Sequence, residues 1–174
     1  MRGFGFSARD HIECLGLNAK LNELHAAMAL ASLVHIDEQT ERNRKLHLLY
    51  QQNFENIPGI IIIPYDRTEK RNWRSVLLCL DEGWPFSRDD TLRILNAENV
   101  NARVYYSPPL HKTFKNHADG ADISLPVAEH IAATHIILPM GTTVFEEDIA
   151  RMGDLFRDMF RLRDDLRQAT GERK

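Results

Sequence analysis

Gly59-Ile60-Ile61-Ile62-Ile63-Pro64 is the stretch on which the fold turns. Four consecutive isoleucines are stiff at χ1 and suit a pleated strand better than a helix. The glycine and the proline bound the run at strand length, so it reads as a buried strand. Towards the N-terminus, Pro58-Gly59 closes a helical stretch that begins near Asp37. Leu46, Leu49, Tyr50, Phe54 and Ile57 form its dry side, and Glu38/Arg42 and Glu41/Lys45 are spaced to pair at i,i+4 on its wet side. Before it, Asn22 is placed to cap another helix, because its side chain can accept from an early free N–H. Leu24, Met28 and Ala31 share one face of that helix. Residues 1–19 are rich in Gly, Ser and Asp, carry no clean period, and read as irregular.

Towards the C-terminus, Val76 to Leu80 is a second strand. Ser87 with Asp90 three residues later forms a capping box for a short helix through Asn99. Val100, Ala102, Val104 and Tyr106 alternate with Asn101, Arg103 and Tyr105, which predicts a half-buried third strand stopped by Pro108-Pro109. Residues 112–124 are polar and read as a loop. Pro126 suits the first turn of a helix running to Thr134. His135 to Leu138 is a short apolar strand closed by Pro139. Thr143 and Glu146 form a second capping box, ahead of a helix with Ile149, Met152, Phe156, Met159 and Phe160 on one stripe. The charged tail from Arg163 is expected to fray. The fold class that follows is α/β of an α+β-like kind: a small, mostly antiparallel sheet with helices packed on one face, plus a long N-terminal helical segment. The expected division is a linking and dimer-facing segment over 1–36, a small domain over 37–162, and a charged tail over 163–174.

Composition bounds the function. The chain has 174 residues, 43% hydrophobic and 27% charged, with 9 Gly and 7 Pro, which excludes collagen-like and disordered classes. A net charge of −3 argues against a nucleic-acid or anionic-membrane partner. No apolar run approaches the ~20 residues a membrane span needs. Cys14 and Cys79 stand without a CxxC, so a reducing cytoplasm is expected. Gly3-Phe4-Gly5-Phe6-Ser7-Ala8 matches G-x-G-x-x-A, but a dinucleotide fingerprint needs a strand before it, and only two residues precede this one. The 8 histidines include no HExxH pair, and no Cys lies at ligand spacing, so no metal site is expected. Asp89-Asp90 and Glu146-Glu147 sit at helix starts, where the macrodipole accounts for them. No nucleophile elbow or P-loop is present.

Several segments in order resemble one family. Gly16-Leu17-Asn18-Ala19-Lys20-Leu21-Asn22-Glu23-Leu24-His25-Ala26-Ala27-Met28-Ala29-Leu30 resembles the segment G-x-N-x-[RK]-M-S-E-x-x-A-A-x-x-L of the PLP-dependent sugar aminotransferases called the DegT/DnrJ/EryC1/StrS family, with Leu21 and Asn22 replacing the usual Met and Ser. Arg42 or Arg44 and Tyr50 resemble the family's R…Y helix. Glu98 to His111 resembles its E-N-V-x-A-R-x-Y-Y-x-P-P-L-H element. Leu125-Pro126-Val127-Ala128-Glu129 and Leu138-Pro139 resemble its L-P-x-A-E … L-P pair, and Arg2-Gly3-Phe4-Gly5 its R-N-F-G.

That resemblance implies a fold-type I aminotransferase acting on a nucleotide-sugar, with PLP held on a lysine of a large domain and two subunits sharing each active site. It implies that Asn18 reaches the phosphate of the partner subunit's PLP, and that Tyr106 and His111 line the sugar side. It also implies an absence. The family's lysine sits in an S-F-H-x-x-K context, and none of Lys20, Lys45, Lys70, Lys112, Lys115 or Lys174 does. Transamination needs that lysine to hold the cofactor and move a proton, and an acid at the pyridinium nitrogen. The chain is therefore expected to be the C-terminal portion of such an enzyme, with no catalytic residue of its own, binding no PLP and inactive alone. Its expected partners are a second copy or a large-domain polypeptide. Two alternatives stay open: a non-catalytic binding or regulatory module, and one half of a split aminotransferase.

Overall fold

The computed structural model describes residues 6–8, 11–17, 19, 21–66, 68–113 and 123–170. Two compact units divide the chain between Glu38 and Gln39. In the first, β1 (Phe6–Ala8) pairs antiparallel with β2 (His11–Ile12), Phe6 opposite Ile12. This hairpin lies where the sequence reads as irregular, because two- and three-residue strands are too short to show a period. Helix α1 (Glu23–Val34) begins as expected: the Asn22 side chain accepts from the His25 N–H at 2.9 Å. No residue of α1 is buried.

Helix α2 (Ile36–Phe54) carries the boundary in its first turn and leads into the second unit. There β3 (Ile60–Ile62), β4 (Val76–Leu80), β5 (Arg103–Val104) and β6 (His135–Leu138) form one sheet in the order β3-β4-β6-β5, every pair antiparallel. The helices are α3 (Arg88–Ala97), α4 (Leu110–Thr113), α5 (Pro126–Thr134), α6 (Glu146–Arg161) and α7 (Arg163–Thr170). Alternation decides the core. Val76, Leu78 and Leu80 of β4 and Ile136 and Leu138 of β6 are buried on one face. They share a single cluster with Leu46, Tyr50 and Phe54 of α2, Leu92 and Leu95 of α3, and Ile149, Met152, Phe156 and Met159 of α6. The expected small antiparallel sheet with helices on one face is the observed one.

Further local expectations need correction, each for a physical reason. β3 is an edge strand, so Ile61 is 45% exposed where a buried strand was expected. β5 shrinks to two residues. Asn99 turns left-handed at φ 61 and Ala102 N–H closes a tight turn onto the Val100 carbonyl at 2.7 Å, while Tyr106 at φ 43 ends the other side. The second capping box starts two residues late: the Asp148 carboxylate accepts from the Phe145 N–H at 2.9 Å, and Thr143 and Glu146 do not form it. Glu41 pairs with Arg44 at 2.8 Å and not with Lys45. Residues 163–170 of the tail are helical, because Leu166 packs on the core and the Arg167 guanidinium donates to the Pro85 carbonyl at 2.6 Å.

Arg42 was expected to pair with Glu38 and instead reaches across the unit. Its guanidinium donates to the carbonyls of Gly141 at 2.5 Å and Val144 at 2.8 Å. The Tyr50 hydroxyl donates to the Pro139 carbonyl at 2.7 Å, so α2 holds the 139–144 turn at both ends. A hydrogen bond to a charged group contributes about 1.5–3 kcal/mol. Arg42→Ala removes these bonds and a third, longer one to the Thr142 carbonyl at 3.4 Å, leaves three carbonyls without these donors, and is expected to destabilise the second unit by about 2–4 kcal/mol. Urea unfolding with an unchanged m-value checks this, and a midpoint equal to wild type would contradict it.

Candidate functional site

The held 139–144 turn forms one wall of a groove of about 970 Å³ in the second unit. The β5 end with Tyr105 and Tyr106, the first turns of α6, and Arg74-Ser75 ahead of β4 form the others. Three guanidinium groups line it, from Arg74, Arg103 and Arg151, against the carboxylates of Glu98 and Asp148. Asp148 is already engaged at the α6 N-terminus. Guanidinium stays charged at any working pH and presents a planar fork that matches phosphate or carboxylate oxygens. The Tyr105 and Tyr106 rings meet edge to face, 4.8 Å apart. An arginine-lined wall beside two phenol rings suits an anionic ligand with a flat or sugar-like body.

Two of the three sequence-derived candidates are described. Tyr106 lies on the groove, is 77% exposed and has a left-handed backbone at φ 43. His111 stands on α4, where its Nε2 lies 3.0 Å from Glu129 Oε1. Asn18 lies outside the described residues, as do Gly3 and Gly5 of the glycine pattern, Lys20 and residues 114–122. Arg74 and Arg151 at the groove were not legible, since a single surface arginine carries no local signal. Arg103 and Tyr105 sat inside a recognised element but had not been assigned a role.

Glu129 joins two elements on either side of residues 114–122. Its Oε1 faces His111 Nε2, Lys112 Nζ at 3.1 Å, and the Leu125 N–H, which donates to it at 3.1 Å. The His111 hydrogen bond first, then the Leu125 N–H and Lys112, hold its carboxyl down at about 2. A depressed acid stabilises the fold above its unfolded value, and that stabilisation is lost as pH falls through the folded value. The joint between α4 and α5 is therefore expected to hold at neutral pH and to weaken between about pH 4.5 and about pH 2. Glu129→Gln should weaken it at neutral pH, and the difference from wild type should vanish as pH falls towards about 2. Amide exchange at Leu125 checks this: protection that is unchanged by Glu129→Gln would contradict it.

The DegT/DnrJ/EryC1/StrS aminotransferase family matches residues 1–157, and the chain belongs to it. Among its relatives, the dTDP-4-amino-4,6-dideoxy-D-glucose transaminase of Escherichia coli is 26% identical over 157 residues, a match that takes in 89% of this chain and 42% of that enzyme. The erythromycin biosynthesis sensory transduction protein EryC1 of Saccharopolyspora erythraea is 28% identical, over 84% of this chain and 39% of that protein. Among solved structures, DesI in the presence of its TDP-sugar product superposes on 97% of this chain and 43% of that one, with a TM-score of 0.85 and 32% identity. The chain thus spans about two fifths of the length of the relatives it matches. Among the described residues, no helix is long and apolar enough to cross a membrane.

Proposed function

We propose that this chain is the C-terminal portion of a PLP-dependent nucleotide-sugar aminotransferase, which transfers an amino group to a keto-sugar, and that it does not catalyse alone. The observation that carries this reading is the match to DesI along 97% of the chain at 32% identity. The groove agrees with it. Arg74, Arg103 and Arg151 suit the phosphates of a nucleotide-sugar, and Tyr106 is assigned to its sugar side. His111, with its ring nitrogen on Glu129, contributes by fixing α4 beside the Ser107-Pro108-Pro109 turn.

Among the described residues, the groove lining offers no lysine for covalent attachment of PLP. The groove's cations are guanidiniums, which do not become nucleophiles, and the Lys112 ammonium faces Glu129. In this reading the cofactor is held by another part of the complete enzyme, and Asn18 is this chain's contribution to its phosphate, as a positioning hydrogen bond.

Purified chain mixed with PLP and a dTDP-keto-sugar tests the proposal. The expected result is no absorbance of protein-bound PLP and no amino transfer, with both appearing on addition of a polypeptide that carries the family's lysine-bearing domain. Catalysis by the chain alone would overturn it. A folded chain that binds the nucleotide-sugar yet never restores transfer would replace it with a non-catalytic binding module.

A further inference from the structure

His47 of α2 is buried to 1% exposure, and among the described residues neither ring nitrogen has a hydrogen-bond partner. Buried polar groups without partners are uncommon and call for an explanation. The ring is covered by Tyr65 and Trp73 of the long β3–β4 connection. Tyr65 lies at 4.8 Å and Trp73 at 5.2 Å, and these two meet each other edge to face at 4.8 Å. The Tyr65 hydroxyl donates to the Ser75 carbonyl at 2.5 Å, which ties the two ends of the connection together over the imidazole. Trp73 sits in the left-handed region at φ 51, a conformation a bulky residue keeps only where its surroundings hold it. The next two residues, Arg74 and Ser75, line the groove.

We infer that this connection is a strap whose closed state requires a neutral His47, so that protonation of the imidazole opens it and withdraws the Arg74–Ser75 wall from the groove.

A neutral imidazole leaves one N–H and one lone pair unmet here, whereas the cation would bring two N–H donors and a full charge into the same unpartnered site. Among the described residues, charges around it do not offset this. From the strap, Arg71 lies over the Tyr65 ring at 4.9 Å and pairs with Glu69 at 2.8 Å, and Asp66 is held by Thr68. From α2, Glu41 pairs with Arg44, and Arg42 is engaged by the 141–144 carbonyls. Cation–π attraction to Tyr65 and Trp73 favours the cation, but Arg71 already occupies Tyr65, so a second cation there meets a like charge. Burial alone pushes the imidazole below its ordinary value of 6.5. For a group whose value is lowered in the closed state, the opening constant rises as pH falls below the ordinary value, by about tenfold per pH unit.

The effect on substrate rests on the reading of the groove given above, whereas the opening itself does not, so the test uses no substrate. The chain has two tryptophans, Trp73 on the strap and Trp84 in the core. Fluorotryptophan-labelled chain is followed by fluorine NMR from about pH 8 to about pH 5, across the range in which histidine titrates. The expected result is a Trp73 resonance that shifts below about pH 6.5 while the Trp84 resonance stays still, and no Trp73 shift in His47→Phe. His47→Leu carries the same expectation if the phenylalanine variant does not fold. A Trp73 resonance that stays put, that shifts equally in these variants, or that moves only together with Trp84 would overturn the inference.

Discussion

Gly59→Ala is expected to destabilise the second unit by roughly 2–5 kcal/mol, the sum of two independent costs. The first is conformational. Gly59 sits at φ 74, in the left-handed region, where a side chain costs about 1–2 kcal/mol. The second is steric. A Cβ at this position would lie 2.0 Å from the Trp84 nitrogen and 2.4 Å from the Gly83 carbonyl carbon, backbone atoms that no rotamer change can move. Relief requires the 81–84 turn to shift, and that turn is fastened on every side. Asp81 N–H donates to the Gly59 carbonyl at 2.9 Å, and Trp84 N–H to the Asp81 carbonyl at 3.0 Å. The buried Trp84 indole donates to Thr91 Oγ1 at 2.8 Å and packs 5.4 Å from Phe156. Overpacking of this kind costs about 1–3 kcal/mol. Against a total stability of about 5–15 kcal/mol for a domain, the variant should melt well below wild type. Gly141→Ala is the control: its φ of 116 carries a backbone cost, but nothing lies within 4 Å of its Cβ. A melting temperature for Gly59→Ala within a few degrees of wild type, or equal to that of Gly141→Ala, would contradict the steric account.

The elements legible in the sequence are those whose cause is local. Asn22 and Ser87 cap their helices with their own side chains, Pro126 sits at a first turn where its missing N–H costs nothing, and α6 shows its buried stripe directly. β4 and β6 were legible as short apolar runs at their present bounds. The remainder depends on partners distant in the chain. Arg42 looks like half of an i,i+4 pair, and only the folded unit offers it carbonyls about a hundred residues away. The charged α7 is held by Leu166 on the core and by Pro85, neither visible in its own composition. β5 alternates well over seven residues, but positive φ angles at Asn99 and Tyr106 leave it two. The groove was legible only through Tyr106 and the element around it. Its arginines come from three separate segments, which chain order does not bring together.

Helix α1 leads to the second large expected effect, self-association that two substitutions abolish. Its sequence is apolar on nearly every side, Ala26-Ala27-Met28-Ala29-Leu30-Ala31-Ser32-Leu33, a composition found in helices covered all round. Yet Leu24, Met28, Leu30, Leu33 and Val34 are each between 58% and 78% exposed. Fully burying one such side chain contributes about 1.5–3 kcal/mol, so the helix has a strong drive towards any apolar partner. We propose that in the complete enzyme this face is covered by a large domain or a second subunit, and that the isolated chain covers it with another copy of itself. Leu24→Glu with Met28→Lys breaks one stripe while leaving a favourable i,i+4 pair, acid before base, so the helix itself is preserved. Loss of two buried side chains at such an interface is worth roughly 3–6 kcal/mol, about a hundredfold to ten-thousandfold in affinity. Sedimentation equilibrium should therefore show a wild-type mass above the 20.1 kDa of one chain and the double variant near it, with equal helical content by circular dichroism. A wild-type chain that sediments as a clean monomer at high concentration would show that α1 is stable uncovered, and would remove the association argument. Addition of a lysine-bearing large domain separates the two covers: if both use α1, the self-associated form should dissociate as the mixed complex forms, in proportion to the amount added.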